Sequence, residues 1–371
     1  MGNNVLVLAN VLTLGGLEKV IVAISNELST IMNVTLYSLK GDKFGYEYSK
    51  KLSVIFGENT IKNAVLHPIL TQKAIIGKKL IQKKTLNFKI IEKNINFFQY
   101  DTLILSEADI LYAPLIKKKN NNIRIIGWVH STFDSYKDMY FKDSYKEFLE
   151  AISFVDVVVV LSETDKKSYL KIHKNVVKIN NPLTIISGKI PPNKVLNKKI
   201  VSFVGRIDYQ VKGLDYLIEL GNYLPFGWKI SVAGDGPDRL KFEKEIFTRG
   251  LESKFIIRGP LKGKKLIDHY LSSSIFILTS RHEGFGLVIT EAMSLGLPVI
   301  AFDSCGPREI MGENDEYGII IENGNIEQFS EALNSLIIDE NLRNYYVQQS
   351  LKRSSDYEMK NIISQWVSIL N

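Results

Sequence analysis

Cysteine is nearly absent: Cys305 is the single one in 371 residues. An intrachain disulfide framework is thereby excluded, and a reducing compartment is the simplest setting. Long apolar runs are missing too; none reaches the roughly 18–20 uncharged residues that a bilayer-spanning helix needs. The N-terminal Met1-Gly2-Asn3-Asn4 has no basic region of a secretory signal, and Leu6 stands where a myristoylation signal has Ser or Thr. No G-x-G-x-x-G follows the first apolar run and no G-x-x-x-x-G-K-[ST] occurs, which argues against nicotinamide dehydrogenases and P-loop NTPases. His-Glu-x-x-His and Asp-x-Asp are both absent, so no metal site is expected; His282 beside Glu283 has no second ligand nearby. The chain is expected to be intracellular, soluble or bound peripherally to a membrane.

What is present reads as globular. Hydrophobic residues make up 45% and charged residues 23%, near the averages of folded domains, and the length predicts two domains. The net charge of +7 is uneven: residues 1–190 hold 26 Lys and Arg against 17 Asp and Glu, and the rest hold 21 against 23. Cation is densest from Lys62 to Lys93, with eight lysines, one acid and interleaved Leu and Ile. That segment reads either as a solvated lysine face or as a basic amphipathic helix resting on anionic lipid. Nucleic-acid binding is disfavoured by the scarcity of arginine there and the lack of any zinc-finger or RNP-like pattern.

Apolar runs alternate with helical periodicity along the whole chain. Val5–Leu12 reads as a buried strand, Gly15-Gly16 as its turn, and Leu17, Val20, Ile21, Ile24 and Leu28 as one face of a helix. Further strands are predicted at Asn33–Leu39, Thr102–Leu105, Ile123–Val129 and Asp156–Leu161. Pro182, Pro191 and Pro192 mark a linker over 183–199. A second alternation follows, with strands at Ile200–Val204, Lys229–Ala233, Phe255–Ile257, Ile275–Thr279, Pro298–Phe302 and Gly318–Ile321. The expectation is α/β: two Rossmann-like parallel-sheet domains, 1–182 and 200–355, facing a central cleft. A last helix, about 356–371 with Trp366, is expected to cross back onto the first domain.

Four constellations carry chemistry. Gly15-Gly16 before a helix start suits close approach to a phosphate, although glycine pairs at such turns are common. Arg206 and Lys212, six residues apart after a buried strand, can hold a diphosphate and neutralise charge as it leaves; a surface pair flanking a turn is the plain alternative. The run Glu283-Gly284-Phe285-Gly286-Leu287 through Glu291 places two carboxylates around a helix start whose N–H groups can bind phosphate or sugar oxygens. A carboxylate near a helix start is also an ordinary capping device. His130, at the end of a first-domain strand, is either structural or ligand-facing.

Val204-Gly205-Arg206, Lys212-Gly213, Ala233-Gly234-Asp235-Gly236-Pro237, the Glu283-x7-Glu291 pair, Gly296-Leu297-Pro298-Val299 and Gly306-Pro307-Arg308-Glu309-Ile310 together resemble the retaining glycosyltransferases of family 4, which have the GT-B fold. The resemblance covers Val201–Ile310, about a third of the chain; the first half matches only through Gly15-Gly16 and His130. It implies that Arg206 and Lys212 bind the donor diphosphate, Glu291 the ribose and Glu283 the sugar. Backbone from Gly284 to Leu287 would touch sugar and phosphate. Gly16 would close on the diphosphate, His130 would lie near the transferred sugar, and Arg258 to Leu261 would line the base. The implied activity needs neither cofactor nor metal. The implied donor is a nucleotide sugar, a UDP-sugar ahead of a GDP-sugar. The implied acceptor is a lipid-linked or lipid A-linked glycan of lipopolysaccharide, O-antigen, capsule or teichoic acid synthesis at an anionic membrane surface. A UDP-GlcNAc 2-epimerase-like enzyme and a non-catalytic sugar-nucleotide-binding partner are the rival readings.

Overall fold

The computed structural model describes residues 3–11, 15–40, 47–57, 87–185 and 198–371. Most of the lysine-rich segment and of the proline-marked linker lies outside the described residues. The chain divides into two units, Met1–Pro182 with Lys360–Asn371, and Leu183–Met359.

The first unit is built on a parallel sheet of seven strands: β1 (Asn4–Val11), β2 (Asn33–Lys40), β3 (Ser53–Phe56), β4 (Thr102–Ser106), β5 (Arg124–Trp128), β6 (Val157–Val160) and β7 (Val176–Lys178). Their spatial order is β3-β2-β1-β4-β5-β6-β7. Central strands carry apolar side chains on both faces, as sheets covered twice require; β4 and β6 are buried at every residue. The helix Gly16–Leu28 buries Val20, Ile21, Ile24 and Leu28. β3 and β7 were not apparent in the sequence. Both are sheet-edge strands of three or four residues, only partly buried, with no sustained apolar run to announce them. The last helix, Met359–Leu370, buries Trp366 edge-on against Trp128, with ring centroids 4.7 Å apart.

The second unit repeats the plan with six parallel strands: β8 (Ile200–Val204), β9 (Lys229–Ala233), β10 (Phe255–Gly259), β11 (Ile275–Leu278), β12 (Val299–Phe302) and β13 (Ile319–Ile321), ordered β10-β9-β8-β11-β12-β13. In both sheets the order reverses beside the first strand, between β1 and β4 and between β8 and β11. In open α/β sheets that reversal opens a crevice at the carboxyl ends of the strands, where ligands bind.

Candidate active site

The reversal in the second sheet gathers the residues singled out after β8 and β11. Asp208 caps a one-turn helix, Tyr209–Lys212, by accepting from the Val211 N–H. That turn ends in Gly213 at φ +59, a conformation that side chains rarely adopt. A Cβ at Gly213 would also meet the Thr279 carbonyl at 2.2 Å, so glycine here lets the Lys212 turn lie against the end of β11. Two further bonds tie the same segments: the Thr279 hydroxyl donates to the Lys212 carbonyl at 2.9 Å, and the Arg281 N–H to the Val211 carbonyl at 2.9 Å.

Held in this way, the Lys212 ammonium donates to Glu283 Oε2 at 2.5 Å, with each side chain 16% exposed. The Ser280 hydroxyl donates to the same oxygen at 3.4 Å. The Glu283 carbonyl accepts from the Gly306 N–H, so the turn is anchored from β12's side as well. The pair is reachable by solvent yet mostly desolvated, and both charges can be re-partnered by a ligand bearing an anion and hydroxyls. Arg206 is exposed and makes no hydrogen bond or ion pair among the described residues. The structure therefore brings Lys212 to Glu283 and leaves Arg206 exposed on the preceding loop.

Gly286, at φ +95, ends the turn and caps the helix Leu287–Ser294. Phe285 is buried with its ring against Tyr357, so at this position only backbone is offered to a ligand, between half-buried Gly284 and half-buried Leu287. Glu291, one turn into that helix, is buried at 4% exposure. Its Oε2 accepts from the Tyr270 hydroxyl at 3.1 Å and its Oε1 from the Thr184 hydroxyl at 3.3 Å. Arg258, exposed on β10, donates to the Ser231 hydroxyl at 3.4 Å, and Leu261 is half-buried just beyond that strand.

Two of these partners and one ion pair were not apparent in the sequence. Tyr270 and Thr184 lie far from Glu291 along the chain and carry no motif. Arg281 clamps Asp215 with two bonds, of 2.9 and 2.5 Å, and also donates to the Tyr209 carbonyl. Burial disfavours the Asp215 charge, but Arg281 outweighs it and holds the carboxyl below its usual value. That clamp joins the two turns that position Lys212 and Glu283.

In the first unit, Gly15 caps the helix Gly16–Leu28 and Gly16 is exposed. The Glu18 carboxylate folds over Gly15, where a Cβ would meet it at 2.2 Å. His130 follows β5. Its ring lies 4.3 Å from that of Trp128, its Nε2 is buried with no partner among the described residues, and its backbone N–H donates to the Tyr136 hydroxyl at 3.4 Å. Burial pushes the imidazole down to about 3, so it is neutral at physiological pH.

Residues 189–353 match the family model described as glycosyl transferases group 1. Relatives align over nearly the whole chain. An uncharacterized glycosyltransferase of Haemophilus influenzae is 27% identical (97% of this chain, 98% of its own). The amylovoran biosynthesis glycosyltransferase AmsD of Erwinia amylovora is 28% identical (96% of each). The third, from Campylobacter jejuni, is 24% identical (96% and 95%). Its name is GalNAc-alpha-(1->4)-GalNAc-alpha-(1->3)-diNAcBac-PP-undecaprenol alpha-1,4-N-acetyl-D-galactosaminyltransferase. Among solved structures, TarM superposes with a TM-score of 0.78 at 16% identity, covering 100% of this chain and 99% of its own. A mutant of S. aureus TarM, in complex with Fondaparinux, alpha-GlcNAc-glycerol and UDP, does so at 0.77 and 16%, covering 100% of each. The fold is GT-B. The likenesses support glycosyltransferase activity on a nucleotide sugar in bacterial polysaccharide synthesis.

Proposed function

We propose that the chain is a retaining, metal-independent glycosyltransferase that moves a hexose or N-acetylhexosamine from a UDP-sugar to a hydroxyl of a lipid-linked or lipid A-linked glycan, forming an α-linkage. The observation that carries this reading is the Lys212–Glu283 pair at the carboxyl ends of β8 and β11. It sets a cation for a diphosphate beside a carboxylate for sugar hydroxyls.

In this reading Lys212 turns from Glu283 to the donor diphosphate and exposed Arg206 joins it. Glu283, released, takes hydroxyls of the sugar. The backbone from Gly284 to Leu287, at a helix N-terminus, adds donors for phosphate and sugar oxygens. Buried Glu291, already oriented by Tyr270 and Thr184, holds the ribose, and the Arg258–Leu261 strand end receives the base. Gly16 is the glycine left open to approach the diphosphate, and neutral His130 lies beside the transferred sugar.

The anomeric C–O bond breaks with its electron pair leaving on the diphosphate, which the cations stabilise as its charge grows. The acceptor oxygen bonds to the anomeric carbon from the same face, and its proton passes to the departing phosphate oxygen. No protein base is then required. Support for the donor comes from the UDP in the TarM complex; support for the α-linkage and the lipid-linked acceptor comes from the Campylobacter relative's name. Cytoplasmic placement against an anionic membrane rests on the Lys62–Lys93 charge alone.

The test is release of UDP from a panel of UDP-sugars in the presence of bacterial membrane extract, with the product identified by mass. Extract-dependent release is expected, and it should collapse in Lys212→Ala. Release that persists in that variant contradicts the assignment.

A further inference from the structure

Among the described residues, two ion pairs join the turn after β8 to the turn after β11, and they stand differently towards the donor. In the reading above both partners of Lys212–Glu283 pass to the substrate, so that pair opens when the donor enters. The second pair, Arg281–Asp215, has no part in that reading. Asp215 stands three residues after Lys212, in the first turn of the helix Leu214–Tyr223, and Arg281 two residues before Glu283. Each pair therefore has one partner on either side of the same junction.

Both terminal nitrogens of Arg281 are engaged. One donates to Asp215 Oδ1 at 2.9 Å and to the Tyr209 carbonyl at 2.8 Å, the other to Asp215 Oδ2 at 2.5 Å. The guanidinium carbon lies over the Tyr216 ring, 4.1 Å from its centroid, and that ring packs edge-on against Phe302 of β12. The backbone of Arg281 is held as well. Its N–H donates to the Val211 carbonyl at 2.9 Å, and its carbonyl accepts from Asn323 Nδ2, just beyond β13, at 3.1 Å. A two-pronged fork fixes direction as well as distance, and stacking adds to it; a lysine reproduces neither. To serve the diphosphate as a third cation, Arg281 would have to break this fork.

Partly exposed pairs add little to overall stability, and here the side chains are 27% and 41% exposed. What such a pair can do is hold geometry. While Lys212 meets Glu283, the turns are joined by that pair and by the clamp together. Once the diphosphate draws Lys212 away and sugar hydroxyls take Glu283, the clamp is the ion pair that remains. The turns then depend on it most during the reaction itself, when a misplacement of about 1 Å can cost about a hundredfold in rate.

Resting on the transferase reading, we propose that Arg281, with Asp215, is a positioning residue of the reaction: it keeps the Lys212 turn and the Glu283 turn in register after the donor has separated Lys212 from Glu283. It acts through those two residues and touches neither the diphosphate nor the sugar. Its loss is therefore felt in turnover and not in the binding of UDP.

Arg281→Lys keeps the charge and loses the fork; Asp215→Asn keeps the arginine and removes its partner. Both are compared with wild type as full-length protein by calorimetric titration with UDP, by extract-dependent UDP release from the best UDP-sugar of the panel, by the ligand-free unfolding midpoint, and by hydrogen exchange of the N–H of residue 281. In both variants maximal release should fall about tenfold to a hundredfold, with the half-saturating UDP-sugar concentration and the UDP affinity within about threefold of wild type. Exchange should match wild type without ligand and be about tenfold faster than wild type with UDP bound, because only then is the Lys212–Glu283 pair open. Unchanged turnover overturns the proposal. So does UDP affinity that falls with turnover, which marks a direct contact, and so does a ligand-free midpoint that falls with it, which marks a structural residue. Wild-type protein that neither binds UDP nor releases it overturns instead the transferase reading beneath the proposal.

Discussion

At the reversal of strand order the second sheet presents Lys212 and Arg206 around Glu283, whereas the first presents Glu107 and Glu18 beside a glycine turn. The two sheets follow the same strand order over six strands, the first adding β7 at its edge, so a reversal of order opens a crevice in each. Side chains alone make one edge cationic with a paired carboxylate and the other acidic, with Ser106 Oγ and His130 Nε2 buried without a partner among the described residues. The same backbone plan thus carries two different charge patterns at its two reversals of strand order.

The largest effect is expected from breaking the cationic edge. Lys212→Ala should lower extract-dependent UDP release by about 10²–10³-fold, the scale on which loss of one transition-state partner is felt. Release within threefold of wild type would count against the assignment. Glu283→Gln should cost about tenfold to a hundredfold in turnover and leave UDP affinity close to wild type, because the amide loses the charge but not the shape.

Smaller effects sharpen the contrast. Tyr270→Phe leaves the buried Glu291 carboxylate short of one donor and should raise the KM for the UDP-sugar a fewfold with kcat unchanged, a split that steady-state kinetics reads directly. On the other edge, His130 is held neutral, its value pushed from 6.5 down to about 3. The unfolded chain takes up a proton as pH falls below 6.5 and the folded chain does not, so the stability this gives is whole above 6.5 and is lost towards 3. His130→Phe should therefore narrow the gap in unfolding midpoint between pH 7 and pH 4.5; an unchanged gap would show that the ring is solvated. Smallest is the effect on the lysine-rich segment. Replacing Lys78, Lys79, Lys83 and Lys84 by glutamate should release the protein from phosphatidylglycerol vesicles and leave UDP affinity untouched.

The contrast between the edges also explains what could be read in advance. The placement of the cationic edge was legible because its parts are local: Arg206, Lys212 and Glu283 lie on short segments after strands with continuous apolar runs, and Glu291 one turn into the helix that follows. Strand–helix alternation made the two parallel sheets legible for the same reason. Edge strands β3 and β7 were not, being short and half covered. Nor were Tyr270, Thr184 and the Arg281–Asp215 clamp, whose meaning exists only after distant segments pack. Glu107 carries no motif at all. Its position is set by the register of β4 with β1 and β5, which spacing does not encode.

Calorimetric titration of UDP against wild type and Lys212→Ala tests the assignment of the cationic edge most directly. The account predicts that affinity falls at least tenfold in Lys212→Ala. Equal UDP binding by wild type and Lys212→Ala would contradict it.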